Sequence, residues 1–402
     1  MEMREGYSQT EFGNIPKEWR VKSLGDVGEV KMCKRVFNNQ TKQSGPIPFY
    51  KIGTFGKEPD AFITEELFNN YRQKYYFPKK GDILISASGT IGRTVIYDGK
   101  PAYFQDSNII WIDNNETIVS NSYLYYLYQV VDYRTEGQTI QRLYNDIIKI
   151  TKFICPPTEE QTAIAQVLSD TDELISSLEK LIEKKKLIKQ GTMQQLLTGK
   201  KRLPGFSGEW EVKKLGDVAE IRDGTHQTPV YVDDGIQFYS VENITENNFT
   251  NTKFISLEEH KRLTKTYKIE KGDILMTRIG SIGDCKLINW DVEASFYVSL
   301  ALLKIKKGYS NKFIAHLIKS YDFQKEIELR SLQWAVPKKI NLGAISAIDI
   351  KIPTDVTEQD AIAEVLNNID SDIESLEQKL NKYKLIKQGM MQNLLTGKIR
   401  LV

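Results

Sequence analysis

The chain contains two copies of one sequence unit, and this duplication constrains its fold more than any other feature. TEEQTAIAQVL returns later as TEQDAIAEVL, and LIKQGTMQQLLTGK returns as LIKQGMMQNLLTGK. Trp19 and Trp210 are 191 residues apart, whereas Gly191 and Gly389 are 198 apart, so the second copy carries seven extra residues late in the unit. A period this long is too large for a solenoid repeat, and each copy should be a domain plus a connector.

Composition excludes several classes of protein. A chain of 402 residues is long enough for two domains, and its net charge of +2 means that binding to a polyanion must come from local patches. Cys33, Cys155 and Cys285 form no CxxC pair, which argues against a disulfide framework or a zinc site. The N-terminus has no apolar signal region and no apolar run reaches membrane-spanning length, so we expect a soluble cytoplasmic protein without a membrane partner.

The front part of each copy predicts a mixed α and β domain. Short apolar runs such as ILIS, TVIY and NIIWI are bounded by turn residues, which is typical of short strands. SYLYYLYQVV has helical spacing with Asn121 available as a cap, and NKFIAHLIKS is its counterpart. We predict an α+β fold with domains at 1–157 and 201–354, separated by helical segments at 158–200 and 355–402.

The two helical segments carry apolar residues with a period of 3.5, the pattern of a coiled-coil seam. Thr158 and Gln161 predict a capping box, and Gly199 and Gly397 stand where helices commonly end. A plain amphipathic helix on its own domain is the alternative, but the duplicated length favours two long helices packed antiparallel. The predicted seam is Ile164, Leu168, Ile175, Leu178 and Ile182 in the first helix, and Ile362, Leu366, Ile369, Ile373, Leu376 and Leu380 in the second.

Repetition in the segments LIKQG and LLTGK extends to outward-facing positions, beyond what a helix seam needs. It predicts a surface for a protein partner, formed by Leu187, Lys189, Gln190, Leu196, Leu385, Lys387, Gln388 and Leu394.

Helix length gives this arrangement a scale. A helix of about 35 residues is about 50 Å long, comparable with roughly 15 base pairs. Antiparallel pairing is expected to place the two domains at opposite ends of a rod, related by a pseudo-two-fold axis. Such a molecule could read two separated half-sites of a duplex.

Catalytic motifs are missing from the sequence. There is no GxxxxGK[ST] phosphate loop, HExxH, NPP[YF] or GxSxG, and the three histidines are scattered. We therefore expect a binding or targeting subunit with no metal site and no cofactor of its own.

Paired glycine turns are the first candidates for nucleic-acid contact. SASGTIGR and TRIGSIGD each place a GxxG after a predicted strand, where small residues let backbone amides approach a phosphate, although a tight hairpin turn would explain the same glycines. The candidate side chains are Ser86, Ser88, Thr90 and Arg93 in the first copy, and Thr277, Arg278 and Ser281 in the second.

Two further loops differ between the copies. The loop IRDGTHQTP, just after a predicted strand, supplies Arg222, Asp223, Thr225, His226 and Gln227, and the corresponding loop VKMCKRVFNNQ of the first copy supplies Lys34 and Arg35. The late stretch supplies Gln138, Gln141 and Arg142 in one copy and Gln333, Trp334 and Lys338 in the other, residue types suited to base edges or stacking. Ordinary loop drift is the alternative. The helix sequences are nearly identical in the two copies, whereas the loop sequences differ. This contrast favours a common scaffold that presents two different recognition surfaces.

Together these motifs resemble the specificity subunit of type I restriction-modification systems over nearly the whole chain. The resemblance is carried by IPKEWRVKSLGDV and EWEVKKLGDVAEI, the DGTH loop, the two GDIL…GxxG segments, and the two copies of EEQTAIAQVL and LIKQG…LLTGK. It implies two target recognition domains that read a split, asymmetric double-stranded DNA sequence, with the helices setting the gap. The first domain has no DGTH loop.

The resemblance also implies partners. Two modification subunits that bind S-adenosylmethionine and methylate adenine would dock on the helices, and restriction subunits would use ATP and Mg²⁺. Two alternatives stay open: a specificity module of a DNA adenine methyltransferase that has no nuclease, and a coiled-coil scaffold that binds only proteins.

Overall fold

The computed structural model describes residues 6–133, 142–332 and 334–401. The chain forms two compact units. The first contains Met1–Glu179 and Lys379–Val402, and the second contains Lys180–Gln378. Each unit therefore combines one repeat with parts of both long helices.

The first unit is built from short strands and helices. Its strands are β1 (Tyr7–Thr10), β2 (Gly13–Pro16), β3 (Arg20–Ser23), β4 (Gly28–Met32), β5 (Ile47–Tyr50), β6 (Phe62–Ile63), β7 (Ile83–Ser86), β8 (Thr94–Ile96), β9 (Tyr103–Phe104), β10 (Ile109–Asn114) and β11 (Lys152–Cys155). Its helices are α1 (Leu24–Val27), α2 (Glu65–Lys74), α3 (Asn121–Leu127), α4 (Asn145–Ile150) and the beginning of the first long helix, α5 (Thr158–Leu196), with a 3-10 turn at Asn38–Gln40.

An antiparallel sheet in the order β4-β10-β7-β8 separates two hydrophobic cores in this unit. Because side chains alternate along a strand, β10 serves both cores. Ile110 and Ile112 pack with α3, α4 and the long helices, whereas Ile109 and Trp111 pack with α2 and the β6-β5-β9 sheet. Burial on both faces explains why this strand reads as a continuous apolar run.

The second unit repeats this plan with additions. Its strands are β12 (Trp210–Lys214), β13 (Ala219–Asp223), β14 (Tyr231–Val232), β15 (Ile236–Tyr239), β16 (Lys253–Ile255), β17 (Ile274–Thr277), β18 (Cys285–Leu287), β19 (Ala294–Phe296), β20 (Leu300–Ile305) and β21 (Asp349–Pro353). Its helices are α6 (Leu215–Val218), α7 (Val241–Thr245), α8 (Leu257–Leu263), α9 (Asn311–Ile318), α10 (Tyr321–Arg330), α11 (Leu342–Ser346) and the second long helix, α12 (Val356–Leu394).

Strand order β13-β20-β17-β18 matches that of the first unit, and β20 alternates in the same way. Ala301 and Leu303 face the core next to the long helices, and Leu300 and Leu302 face the other core. Helix α10 lies between α9 and α12, where the sequence places the seven extra residues.

The long helices run antiparallel, which confirms the predicted coiled coil. In the first unit Asp172 pairs with Lys387 at 2.7 Å and Glu179 pairs with Lys384 at 2.7 Å. The partner of a later residue in α5 is an earlier residue in α12, as antiparallel packing requires.

Corresponding ion pairs join the helix segments of the second unit. Lys189 lies 2.5 Å from Asp370 and Lys186 lies 2.7 Å from Glu377. The predicted seam follows the buried stripe: Ile164, Leu168, Ile175, Leu178, Ile182, Ile362, Leu366 and Ile373 are buried, and Ile369, Leu376 and Leu380 are half-buried.

Two predicted helix caps are wrong. Ser120, not Asn121, caps α3, and its side chain accepts a hydrogen bond from the amide of Tyr123. Gln161 does not complete a capping box at the start of α5, because its amide group donates to the carbonyl of Pro156 and accepts from the backbone of Ser120. The Gln161 side chain therefore connects the beginning of α5 to its own domain.

Candidate nucleic-acid interface

In the second unit, Arg278 holds three loops together. The residue directly follows β17 and is 8% exposed. Its guanidinium donates from Nε to the carbonyl of Ile340 at 3.2 Å and from Nη1 to that of Val298 at 3.0 Å. The carboxylate of Asp223 lies 3.5 Å from Nη1. Arg278 therefore joins three segments: the loop after β13, the turn between β19 and β20, and the arm before α11. Together with the glycine turn after Arg278, these segments are called the second loop cluster.

The DGTH loop forms the first part of this cluster. The imidazole Nε2 of His226 lies 2.8 Å from the carboxylate of Asp223, and the hydroxyl of Tyr267 donates to the backbone carbonyl of Asp223. Burial raises the pKa of Tyr267, and the charge of Asp223 raises it further, so this hydroxyl remains a donor. A Cβ on Gly224 would lie 2.1 Å from the carbonyl oxygen of Phe296, so only glycine allows this close approach.

The glycine turn between β17 and β18 is a tight hairpin. Gly280 and Gly283 have φ of 86° and 90°. The amide of Gly283 donates to the carbonyl of Thr277 at 2.9 Å, and that of Gly280 donates to the carbonyl of Lys338 at 2.8 Å. These two amides are therefore already used, and hairpin geometry accounts for the glycines without a phosphate.

In the first unit, side chains from three loops bind the segment between β9 and β10. Arg35 pairs with Asp106 at 2.8 Å. Ser88 donates from Oγ to the side-chain oxygen of Asn108 at 2.8 Å, and Arg142 donates to the carbonyl of Ser107 at 3.3 Å. These contacts define the first loop cluster.

Ser107 has φ of 54°, a conformation that is uncommon for a residue with a side chain. Such strain persists where surrounding contacts hold it, and the contacts of Asp106 and Asn108 flank it on both sides. Sequence reasoning missed this segment, although the polar run QDSN directly after a buried aromatic strand is a detectable signal.

Burial divides the predicted contact residues into two groups. Ser86, Thr277 and Arg278 are buried, and their side chains hold turns and loops of the protein. Their predicted direct contact with a ligand is therefore corrected to a positioning role. Exposed or half-exposed side chains are those of Lys34, Arg35, Ser88, Thr90, Arg93, Arg142, Arg222, Asp223, Thr225, His226, Gln227, Ser281, Trp334 and Lys338.

Some of these exposed groups are paired within the protein. Arg93 donates to the carbonyl of Phe55 at 3.0 Å, Arg222 pairs with Glu220, and Lys338 pairs with Glu328. Three other predicted residues, Gln138, Gln141 and Gln333, lie outside the described residues.

A basic and aromatic patch next to the first loop cluster contains the predicted Lys34 together with Lys31, Tyr75 and Tyr76, which were not predicted. The Lys31 ammonium lies 4.1 Å from the ring centre of Tyr76, and that of Lys34 lies 5.1 Å from the ring centre of Tyr75. Both tyrosines are exposed. Cations above aromatic faces keep their charge available to a polyanion while the rings offer stacking surfaces.

On the long helices, the predicted partner surface is only partly accessible. Leu187 and Leu385 are 58% and 60% exposed, and Gln190 and Gln388 are also exposed. Leu196 and Leu394 instead belong to the cores of their own units, which corrects their assignment to a partner. Lys189 and Lys387 are engaged by Asp370 and Asp172.

In the part of the chain that the structure describes, no group of three or more His, Cys, Asp or Glu side chains could hold a metal ion. No helix among the described residues is both long and apolar enough to cross a membrane.

The fold and the loop clusters define a duplicated α+β chain in which each unit presents different loops on the same scaffold. Residues 16–190 and 207–384 match the family described as type I restriction modification DNA specificity domain. The chain belongs to this family.

Its relatives carry the same description. A putative type I restriction enzyme specificity subunit of Haemophilus influenzae is 58% identical over 173 residues, which are 43% of this chain and 45% of that protein. The match therefore spans less than half the length of that relative. A putative type I restriction enzyme specificity subunit, MjaX, of Methanocaldococcus jannaschii is 27% identical over 98% of this chain and 97% of that protein.

A solved structure shows the same fold. The crystal structure of a type I restriction-modification S subunit from M. genitalium superposes with a TM-score of 0.62 at 15% identity, covering 98% of each chain.

Proposed function

We propose that the chain is the DNA-recognition subunit of a type I restriction-modification complex, in which each loop cluster reads one half of a bipartite, asymmetric target. The observation that carries the proposal is the hydrogen bonding of dissimilar loops into one surface at the same place in both units. Recognition of two different half-sites requires such a shared scaffold with different side chains.

The exposed and half-buried side chains in the clusters have the chemistry for base edges and phosphates. Thr225 and Gln227 offer hydroxyl and amide groups in the second cluster, and Ser88, Thr90 and Arg142 offer hydroxyl and guanidinium groups in the first. Amide and guanidinium groups can form paired hydrogen bonds with adenine and guanine in the major groove, and hydroxyls bind either bases or phosphates.

The proposal gives this chain no catalytic step and no cofactor. Modification subunits would supply S-adenosylmethionine and hold the flipped adenine, and restriction subunits would supply ATP-dependent, Mg²⁺-dependent work on the DNA. Exposed residues of the long helices, Leu187, Gln190, Leu385 and Gln388, are the proposed docking surface for the modification subunits. The assembly would work on DNA in the cytoplasm.

The test is methylome mapping. The chain is expressed with a modification subunit encoded beside it in a host without adenine methylation, and N6-methyladenine is located by single-molecule sequencing. A split motif is expected. Thr225→Ala with Gln227→Ala should alter only one half of the motif, and Ser88→Ala with Arg142→Ala should alter only the other.

Val212→Ala is a matched control, because Val212 is 67% exposed on β12, which pairs with β21 and takes no part in either cluster. Methylation unchanged in both double variants would refute the assignment of the clusters. Methylation by the purified chain alone would show that it is an enzyme. Loss of unmethylated plasmid only when a restriction subunit is added would separate a restriction system from a methyltransferase without a nuclease.

A further inference from the structure

A solvent-exposed apolar tip projects from the second unit between α10 and α11. Trp334 is 97% exposed and Val336 is 99% exposed. Burial of apolar surface is favourable, so two large apolar side chains left in water at one loop tip mark a contact surface. Tryptophan is also one of the residue types enriched among side chains that carry binding energy.

Hydrogen bonds close the loop below this tip. The amide of Leu332 donates to the carbonyl of Lys339 at 2.8 Å, and the amide of Ala335 donates to the carbonyl of Leu332 at 3.1 Å. These two hydrogen bonds restrict the described residues on either side of Trp334 and Val336. Restriction before binding lowers the entropy lost when these side chains bind.

The base of the tip is part of the second loop cluster. The returning arm bonds to the glycine turn through Gly280 and Lys338, and the amide of Ile340 donates to the carbonyl of Arg278 at 2.9 Å. The Arg278 guanidinium then connects this arm to the DGTH loop. The arm that carries Trp334 and Val336 is therefore bonded to the second loop cluster.

We propose that Trp334 and Val336 form an apolar wedge that opens a base step in the half-site read by the second unit. The indole of Trp334 stacks on the face of the unstacked base, and Val336 fills the space beside it. This inference rests on the proposed function.

Nucleic acid is favoured over a protein as the occupant because of the tip's shape and setting. The tip exposes two apolar side chains, whereas two flat protein faces would need a broader apolar surface. On the same loop Lys339 is charged and exposed, and Arg278 connects the returning arm to the DGTH loop, which carries the polar residues Thr225, His226 and Gln227. Base faces are the apolar surfaces that a duplex offers once a step opens, and wedge side chains are known to exploit them.

The test uses the complete chain assembled with its modification subunits and a duplex that carries the mapped target. Trp334→Ala should weaken binding to this duplex about tenfold to a hundredfold at a fixed salt concentration, and Trp334→Phe should retain most of the affinity. The fluorescent base 2-aminopurine is placed at each position of the target in turn. One position in the half-site read by the second unit should change fluorescence with the wild-type complex and not with Trp334→Ala.

Val212→Ala serves as the control, and thermal unfolding of Trp334→Ala should match that of the wild type because the side chain contributes little buried surface. Specific binding that is unchanged in Trp334→Ala overturns the wedge and leaves the proposed function intact. Loss of the modification subunits from Trp334→Ala, with 2-aminopurine silent at every position, would assign the tip to a protein contact and also overturn the wedge. Absence of specific binding by the wild-type complex overturns both proposals.

Discussion

Arg400 grips the buried carboxylate of Glu160 through two hydrogen bonds, from Nε at 3.0 Å and from Nη2 at 2.9 Å. Glu160 lies in the first turn of α5 and also accepts a hydrogen bond from the indole of Trp19 at 2.8 Å. In the second unit Arg202 holds Glu358 in the same way, at 2.5 and 2.6 Å. In each unit the segment after one long helix is tied to the first turn of the other.

Arg400→Ala should destabilise the first unit by roughly 3 kcal/mol, because removing one partner leaves a buried carboxylate without its counter-charge. Arg400→Lys should recover part of the loss, since a lysine cannot supply the paired donors of a guanidinium. Hydrogen exchange read by mass spectrometry, peptide by peptide, would show faster exchange in β3 and β11 and at the start of α5.

Arg202→Ala is the matched control for this prediction. It should produce the same loss in the second unit, at β12, β21 and the start of α12, and leave the first unit unchanged. Equal effects of both variants on both units would contradict the view that each arginine stabilises its own unit.

Arg278→Ala should alter recognition of one half-site only. The substitution leaves the carbonyls of Ile340 and Val298 without their donor and frees the DGTH loop from the arm that carries Lys338. Methylation is expected to fall at least about tenfold at the target, with the remaining activity relaxed in the half read by the second unit. Arg278→Lys should behave in the same way, because one ammonium cannot hold three loops.

The corresponding variant in the first unit is Asn108→Ala, which removes the acceptor of Ser88. It should affect the other half-site. If Arg278→Ala changes both halves of the motif, the two clusters do not read independently.

Lys31 and Lys34 are expected to bind phosphates. Replacing both with Gln should weaken DNA binding at low salt and reduce the slope of log K against log salt by about 0.9 for each phosphate that is no longer neutralised. Lys100→Gln is the control, because the ammonium of Lys100 is already paired with Asp98 at 3.2 Å. A salt slope that stays the same after the double replacement would exclude the patch from the interface.

Much of the fold could be predicted because it depends on local patterns. The period of 3.5 in α5 and α12 correctly predicts a seam that is buried in the structure. The apolar run NIIWI correctly predicts a strand, which is buried on both faces. The Asn121 cap failed for a local reason, because Ser120 stands one residue earlier and caps α3, whereas the Gln161 capping box failed because of tertiary contacts. Gln161 has the right spacing for a capping box, but its side-chain amide instead accepts a hydrogen bond from the backbone of Ser120 and donates one to the carbonyl of Pro156.

The candidate site could be predicted only as a set of loops. Sequence spacing located the DGTH loop and the glycine turns, but burial decides which side chains face a ligand, and burial is a property of the assembled sheet. From the sequence Arg278 is expected on the surface, but in the structure it is buried. The segment around Asp106 and Asn108 was missed because its partners, Arg35 and Ser88, are distant in sequence.

The long helices are expected to set the gap between the half-sites. Adding one heptad to each helix, after Leu181 and after Leu380, extends the pair by about 10 Å, or about three base pairs. The methylated motif should keep both halves and gain about three unread positions. A heptad keeps the apolar seam of each helix facing the other helix. Five added residues in each helix rotate the seam away from the partner helix and should abolish methylation. An unchanged gap in the heptad variant would show that the helices do not set the gap.

Acid should destabilise the second unit before the first. His226, His260 and His316 all lie in the second unit, and the first contains no histidine. Burial lowers the pKa of His316 and of His260 below the ordinary value of 6.5, so the unfolded chain takes up these protons first as the pH falls. This stability is therefore fully present above pH 6.5 and is lost as the pH falls below it.

His316 is the sharper case of the two. Its Nε2 donates to the side-chain oxygen of Asn367 at 2.9 Å, and its buried Nδ1 has no hydrogen-bond partner among the described residues. Burial is the largest cause that lowers the pKa of His316; the hydrogen bond to Asn367 and the charge of Asp370 raise this pKa, the charges of Lys319 and Lys189 lower it, and the neutral ring is favoured overall. Hydrogen exchange at pH 7.5 and 5.5 should show loss of protection in α9 and α12 of the second unit, with the first unit as internal control. His316→Gln can still donate to Asn367 and does not titrate, so it should remove much of this pH dependence; an unchanged dependence would mean that other groups titrate.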